Sequence, residues 1–348
     1  MGRQSISQRI QGGVARGVMN LPAGMLRVLA GKPVVVDGQT LDVQTQLMLK
    51  LQRMQGLDGL GGGTPAAERR MIDAQSQLMA PGSTQPLAVD DIQVAGAAGP
   101  IAARVYRPRA CKAAAPALLF YHGGGFVIGS LDSHDGVCRA LADRAGCVVI
   151  SVDYRLAPEH PAPAGVEDSI AAFRDIAGRA AELDIDASRI AVCGDSAGAN
   201  LATVVAQATR NDKLKPCFQL LFYPTVDFSR DRESVRTFAE GFLLEKKSMD
   251  WFRGHYIPDD MSHDDPRVSP IYGDLAGLAP AHIITGGFDP LRDEGEAYGQ
   301  ALQAAGVTAS IARKPSMIHG FLNFAGAIHG GLAGLTDGAQ ALSQQFEQ

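Results

Sequence analysis

The chain has 348 residues, of which 46% are hydrophobic and 20% are charged, and its formal net charge is −5. This composition is typical of a globular protein with a large core, and it excludes a disordered or fibrous chain. The acidic balance predicts no nucleic-acid partner. The five cysteines form no C-x-x-C pair, so we expect free thiols in a reducing cytoplasm.

The first 36 residues are basic and contain no acid. Their charges come from Arg3, Arg9, Arg16, Arg27 and Lys32. The pattern favours a solvated helix or one packed in a cap, with a weak membrane-surface contact as the alternative. The apolar stretch 21–30 is interrupted by Pro22, Gly24 and Arg27, so it predicts neither an export signal nor stable membrane insertion. We therefore expect a cytoplasmic protein.

Residues 1–85 are predicted to form an N-terminal helical segment. Amphipathic periodicity predicts helices at 42–54 and 66–79, and the glycine-rich stretch 59–65 between them predicts a loop. The pattern changes near residue 90, which places a second unit at 86–348.

In the second unit, short apolar runs alternate with helical stretches. Two paired strands are predicted at 91–96 and 102–108, followed by buried strands at 117–122, 147–153, 189–194, 218–223, 282–287 and 307–313. Helices are predicted at 135–145, 166–180, 197–210 and 293–305. This alternation predicts an α/β fold with a mostly parallel, doubly wound sheet and helices on both faces. The interval 225–270 predicts no strand, which indicates a helical insertion over the sheet edge where ligands bind.

A G-x-S-x-G motif follows the strand at 189–194 and precedes a helix. It consists of Gly194, Asp195, Ser196, Ala197 and Gly198. In this setting the serine lies on a sharp turn that exposes its hydroxyl, and the glycines leave room for strand and helix to approach. The motif predicts a nucleophilic serine, Ser196. The alternative is a glycine-rich turn with an idle serine.

A second glycine motif ends the strand at 117–122. It consists of His122, Gly123, Gly124 and Gly125. Such a loop lets backbone N–H groups point at a developing oxyanion, and we expect Gly124 and Gly125 to donate together with the Ala197 N–H. The alternative is a plain flexible loop.

A serine nucleophile needs a base, and the base needs an orienting carboxylate. Of the histidines after Ser196, only His319 follows the last predicted strand at the correct edge. The others are His255, His263, His282 and His329. Asp289 directly follows the strand at 282–287 and is the predicted acid. Asp293 and Glu294 lie one turn later, where acids commonly stabilise a helix start.

Five segments occur in an order that resembles the bacterial hormone-sensitive-lipase-like esterases, also called family IV. They are HGGGF (122–126), YRLAPEHPAPA (154–164), GDSAGAN (194–200), DPLRDEG (289–295) and HGF (319–321). The resemblance implies an α/β-hydrolase fold, a triad of Ser196, Asp289 and His319, and an oxyanion hole from Gly124, Gly125 and Ala197. It also implies a cap made of the N-terminal helices and the 225–270 insertion. Ala162 and Ala199 depart from the usual Phe and Gly.

The expected substrate is therefore a small ester with a short or medium acyl chain, cleaved without a metal or organic cofactor. An amidase, lactonase or deacetylase with the same triad, or a non-catalytic ligand-binding protein, is the alternative. Six apolar residues are candidates for lining an acyl or alcohol pocket, although core packing is their commoner role: Phe126, Phe242, Leu243, Trp251, Phe252 and Tyr256. An exposed last strand would allow a homodimer through sheet edges.

Overall fold

The computed structural model describes residues 6–56 and 59–348, except for the side chains of residues 6–11 and 15. The first five residues of the predicted N-terminal segment, which include Arg3, lie outside the described residues. The side chain of Arg9 also lies outside them. Within the described residues, no helix is both long and apolar enough to cross a bilayer.

The central sheet has eight strands in the order β10-β9-β8-β7-β5-β6-β4-β3. Six of these strands, from β10 to β6, are parallel, and β4 and β3 continue the sheet antiparallel. Their bounds are Leu87–Gly96 (β3), Gly99–Pro108 (β4), Ala115–Tyr121 (β5), Val148–Val152 (β6), Ile185–Asp195 (β7), Gln219–Phe222 (β8), Ala281–Phe288 (β9) and Ala309–Ile318 (β10). The predicted α/β-hydrolase sheet is confirmed.

Apolar residues on both faces of the central strands explain why these strands form the interior of the sheet. In β5, Leu119 packs in a core with the helices Ala164–Gly178 (α6), Ala197–Thr209 (α7) and Arg292–Ala304 (α10). Its neighbours Leu118 and Phe120 face the opposite core, with Asp135–Ala145 (α5) and His329–Phe346 (α11). The alternating side-chain direction of a strand thus builds two cores from one continuous apolar run.

Helix α11 was not predicted, because the stretch around His329 is rich in glycine. Gly334 packs against the Phe321 ring and Gly338 against the Phe222 ring, so a Cβ at either position would collide with an aromatic side chain. Close packing on the sheet therefore compensates for the low helix propensity of glycine.

The N-terminal segment contains the helices Ile6–Met19 (α1), Ala23–Ala30 (α2), Val43–Met54 (α3) and Pro65–Met79 (α4), with a small hairpin of Val35–Val36 (β1) and Gln39–Thr40 (β2). Asp42 caps α3 by accepting a hydrogen bond from the Thr45 N–H at 2.9 Å. The buried side chains of α2 and α3 join the core that contains α5 and α11. The segment is therefore packed on the sheet domain.

Between β8 and β9, the described chain forms two α-helices, Glu233–Thr237 (α8) and Lys246–Tyr256 (α9), a short 3-10 helix, Pro270–Tyr272, and no strand. Both α-helices lie within residues 225–270. Tyr256 at the end of α9 stacks on Phe126 with ring centroids 3.7 Å apart. The insertion therefore contacts the glycine loop, residues 122–129, at the carboxyl edge of the sheet.

Candidate active site

Ser196 occupies the single residue between β7 and α7, with φ 54° and ψ −117°. A positive φ is strained for a residue with a Cβ, and such strain is found mainly at functional sites. A Cβ on Gly194 would overlap the Gly198 backbone, and a Cβ on Gly198 would overlap the Tyr121 carbonyl. Both glycines are therefore required for the turn that holds Ser196 above the sheet.

Ser196, His319 and Asp289 form one hydrogen-bonded chain. The Ser196 Oγ lies 3.0 Å from His319 Nε2, and His319 Nδ1 lies 2.8 Å from Asp289 Oδ2. Asp289 is fully buried and His319 is 4% exposed. The other carboxylate oxygen, Oδ1, accepts the Leu291 N–H at 2.8 Å. A carboxylate that accepts from Nδ1–H leaves Nε2 free to accept the serine proton.

The three side chains meet because each follows a parallel strand. Asp289 comes directly after β9 and His319 directly after β10. The other predicted acids point elsewhere, since Asp293 accepts the Ser234 N–H and Glu294 accepts the Val226 N–H. Three of the four remaining histidines contact residues outside this chain of hydrogen bonds: His255 contacts Trp251, His282 contacts Ser310 and His329 contacts Asn20. The fourth, His263, does not line the cavity.

Gly124 and Gly125 face the same cavity as Ser196 and His319, which has a volume of about 100 Å³. Their φ angles are +119° and +59°, and a Cβ on Gly124 would overlap the Ile128 carbonyl. Ala197 is the first residue of α7, so its N–H lies at the positive end of the helix dipole. Gly124 and Gly125 therefore line the cavity together with Ser196, and Ala197 directly follows Ser196.

A buried network, which sequence reasoning missed, joins the glycine loop to the nucleophile turn. Asp195 Oδ1 accepts the Gly123 N–H at 2.8 Å and lies 3.2 Å from His134 Nε2. Burial raises the pKa of Asp195, but His134 and the Gly123 N–H outweigh burial and hold this pKa below its ordinary value. His134 precedes Ser196 in the chain, whereas the predicted order of serine, acid and histidine considers only histidines that follow the serine.

His122 takes part in this network as a neutral ring. The ring is fully buried and stacks on Tyr154, with ring centroids 4.4 Å apart. Its Nδ1 lies 2.8 Å from the Gly123 carbonyl oxygen and donates to it in the tautomer that carries the proton on Nδ1. Burial lowers the pKa of His122 to about 4. The His122 carbonyl oxygen accepts a hydrogen bond from the Tyr154 hydroxyl group at 2.7 Å. His122 therefore supports the loop from behind.

Arg69 on α4 ties the N-terminal segment to the glycine loop. Its guanidinium donates to the carbonyls of Val127 and Ala157, each at 2.8 Å. It also pairs with both oxygens of Glu159, at 3.0 and 2.6 Å, and holds the pKa of that carboxyl at about 2. No sequence motif marks Arg69, so this contact could not be predicted.

Phe126, Phe252 and Tyr256 line the cavity, as do Leu60 and Ile72 from the N-terminal segment. The other predicted pocket candidates do not line it. Leu243 borders a neighbouring cavity, Phe242 packs on Phe288, and Trp251 covers Gly61. Neither Ala162 nor Ala199 is among the residues that line the cavity. Among the described residues, no group of three or more His, Cys, Asp or Glu is placed to hold a metal ion.

Glu294 is a buried carboxyl group on α10 that, among the described residues, has no hydrogen bond to a cationic side chain. It is 2% exposed and accepts the Val226 N–H at 2.7 Å. Burial, reinforced by the nearby Asp227 carboxylate, raises the pKa of Glu294 to about 8. In the folded protein Glu294 therefore keeps its proton at neutral pH.

The raised pKa makes Glu294 a source of pH-dependent stability. Between its ordinary pKa and about 8, the folded state binds a proton that the unfolded state has lost, so the free energy of unfolding decreases as pH rises. One such proton gives a slope of about 1.4 kcal/mol per pH unit. We expect Glu294→Gln to remove this contribution in urea unfolding measured between about pH 5 and 8. Glu296→Gln, on the same helix, is the control and should keep the slope. If the free energy of unfolding changed equally with pH in wild type and in Glu294→Gln, Glu294 would not be protonated in the folded protein.

A family model for the alpha/beta hydrolase fold matches residues 118–323. The chain is 45% identical to the carboxylic ester hydrolase LipN of Mycobacterium tuberculosis, over 97% of this chain and 93% of LipN. It is 39% identical to an ethyl acetate hydrolase of Pseudomonas putida, over 80% of this chain and 89% of that protein.

Solved structures agree with these similarities. An ester hydrolase from the Lake Arreo metagenome, complexed with a bipyridine phosphonate derivative, matches with a TM-score of 0.85 at 42% identity, covering 88% of this chain and 100% of the other. An esterase of Pyrobaculum calidifontis matches with a TM-score of 0.79 at 38% identity, covering 86% and 97% of the two chains.

Proposed function

Since this chain belongs to the hormone-sensitive-lipase-like branch of the α/β-hydrolase fold family, we propose that Ser196, His319 and Asp289 carry out its hydrolysis of carboxylic esters. The observation that supports these roles best is the unbroken hydrogen-bonded chain from the Ser196 Oγ to Asp289, placed opposite Gly124 and Gly125. The proposed mechanism uses side chains and backbone N–H groups alone.

In the acylation step, the Ser196 Oγ attacks the ester carbonyl carbon while His319 Nε2 takes the hydroxyl proton. Asp289 stabilises the resulting imidazolium through Nδ1–H. The tetrahedral oxyanion receives hydrogen bonds from the N–H groups of Gly124, Gly125 and Ala197, and each such donor contributes about a hundred- to a thousand-fold to turnover. The C–O bond then breaks, and the leaving alcohol takes the proton from His319.

In the second step, water replaces the alcohol. His319 accepts a proton from the water, the hydroxide attacks the acyl carbon, and the Ser196 oxygen leaves with the proton that His319 returns. The products are a carboxylic acid and the free enzyme. The same oxyanion donors serve both steps.

We propose short or medium acyl chains because the catalytic cavity is small, about 100 Å³, and is closed on one side by Phe252 and Tyr256. The N-terminal segment and the 225–270 insertion act together as the cap. Support comes from their shared contribution to the cavity, with Leu60 and Ile72 from the first and Met249 from the second.

Hydrolysis of nitrophenyl esters from acetate to palmitate, alongside a matched nitrophenyl amide, tests this function. We expect kcat/KM to be highest at short or medium acyl chains, and the amide to react at least about a hundredfold more slowly because resonance stabilises its carbonyl and its nitrogen is the poorer leaving group. Covalent labelling by a phosphonate ester should shift the mass of the peptide that contains Ser196. Absence of both hydrolysis and labelling in folded enzyme would contradict the proposal.

Location and assembly stay predictions. We propose a cytoplasmic protein, consistent with its free cysteines. A homodimer through the edge strand β10 would use residues 309–314. The strand is covered further along, because the Ser316 carbonyl oxygen already accepts a hydrogen bond from the Asp42 N–H. Contact of the basic N-terminal helices with a membrane surface would use the exposed side chains of Met25 and Val28.

A further inference from the structure

A second, larger cavity adjoins the catalytic one. Its volume is about 510 Å³, compared with about 100 Å³ for the catalytic cavity. Four residues border both spaces: Leu60, Ile72, Gly320 and Asn323. The two spaces are therefore neighbours, and one of the residues between them, Gly320, directly follows His319.

The walls of the second cavity are mostly aliphatic and come from α1, α3, α4 and the turn after β10. Besides the shared residues and Leu243, they include Val14, Val18, Met19, Met48, Leu51, Leu78, Met79 and Phe324. The polar side chains among the described lining residues are uncharged: Gln52, Gln55, Gln75, Ser76 and Asn323. Ser76 already donates to the Ile72 carbonyl. A charged or sugar-like group would find no counter-charge on these walls, whereas an alkyl chain would be removed from water.

The position of the base indicates which part of an ester reaches this space. The leaving oxygen must lie close to His319 Nε2 to take its proton. A leaving alcohol at this point lies beside Gly320, which directly follows His319 and borders both cavities, as does Asn323. Phe252 and Tyr256 line the smaller cavity and not the larger one.

We propose that the second cavity binds the alcohol arm of the substrate, so that the preferred substrates are esters of a short acid and a long, unbranched aliphatic alcohol. This inference rests on the proposed function and specifies its substrate class. The preference for a long alcohol and a short acid follows from the two volumes, because in this arrangement the larger space takes the alcohol and the smaller space takes the acyl group.

Two matched ester series test the proposal on the full chain, with acid release followed by titration. One series combines butyric acid with ethanol, octanol and dodecanol, and the other combines ethanol with butyric, octanoic and dodecanoic acids. We expect kcat/KM to rise at least about tenfold from ethyl to octyl butyrate, because each buried methylene contributes to binding. We expect no such rise in the acyl series. A rise with acyl length alone, or no dependence on alcohol length, would overturn the inference.

Filling the cavity gives a second test. Leu51→Trp and Leu78→Trp add bulk on α3 and α4, away from Ser196. We expect each to lower the ratio of kcat/KM for octyl over ethyl butyrate about tenfold. Met54→Trp, at a 75% exposed position on α3 that lines neither cavity, is the control and should keep the ratio.

The outcomes separate the inference from the function on which it rests. An unchanged ratio in both filled variants, with thermal unfolding like wild type, would overturn the alcohol site and leave the esterase function standing. Failure of the wild type to hydrolyse ethyl butyrate and every other ester would instead overturn the proposed function. If both filled variants fail to fold, the two wild-type series still decide the question.

Discussion

Replacing Ser196 by alanine is expected to lower kcat for ester hydrolysis by about 10⁶-fold, to the limit of detection. The substitution removes the Oγ that lies 3.0 Å from His319 Nε2, and with it the acyl-enzyme. Because alanine keeps the Cβ and the φ of 54° is already strained for serine, the backbone of the turn should not gain strain. Release of nitrophenol from nitrophenyl butyrate measures the loss.

Ser188→Ala provides the matched control for this variant. Ser188 is an exposed serine on the same strand, β7, and bonds only within its own turn to Asp186. Its kcat should stay within about twofold of wild type, as is usual for surface substitutions. Residual turnover above about 1% in Ser196→Ala, with the phosphonate label still attached, would assign the nucleophile to another residue.

Asp289→Asn is expected to lower kcat by about 10⁴-fold with little change in KM. Asp289 Oδ1 accepts the Leu291 N–H, so an asparagine would place its carbonyl oxygen there and turn its NH₂ group toward His319. His319 Nδ1 would then accept a hydrogen bond, and its proton would move to Nε2. In that tautomer the ring donates to Ser196 and cannot remove its proton.

Asp293→Asn tests whether the position of the carboxylate matters. Asp293 lies four residues later, bonds the Ser234 N–H and pairs with Arg292. We expect its kcat to stay within about tenfold of wild type, with any loss appearing as lower stability. Comparable losses of kcat in the two variants would contradict the role assigned to Asp289.

The sequence predicted the sheet and the three hydrogen-bonded residues because local signals determine both. The buried strands are short apolar runs, and Ser196 and Asp289 each lie two residues after a predicted run. His319 lies six residues after the last predicted run, because β10 continues to Ile318. Once the strands are parallel, their carboxyl ends must lie at one edge. The distances between Ser196, His319 and Asp289 therefore follow from the fold with few free choices.

The features that escaped prediction depend on partners far apart in the chain. Arg69 contacts Val127 and Ala157, which are 58 and 88 residues away, and no local pattern marks either pair. Helix α11 forms because Gly334 and Gly338 lie against aromatic rings, which only the packed structure reveals. The second cavity likewise results from the relative positions of α1, α3 and α4, which their separate amphipathic patterns do not specify.

The link through Arg69 has a consequence for the working temperature of the enzyme. The glycine loop is held in part by α4, whose buried residues are only Glu68 and Ser76, and a helix with so little buried surface undocks at a lower free-energy cost than a central sheet unfolds. Each undocking event would free the Val127 carbonyl and loosen the loop while the eight strands remain paired. On heating, turnover should therefore be lost at a lower temperature than the one at which the whole protein unfolds. The packing of one peripheral helix, α4, then determines the upper temperature limit of catalysis.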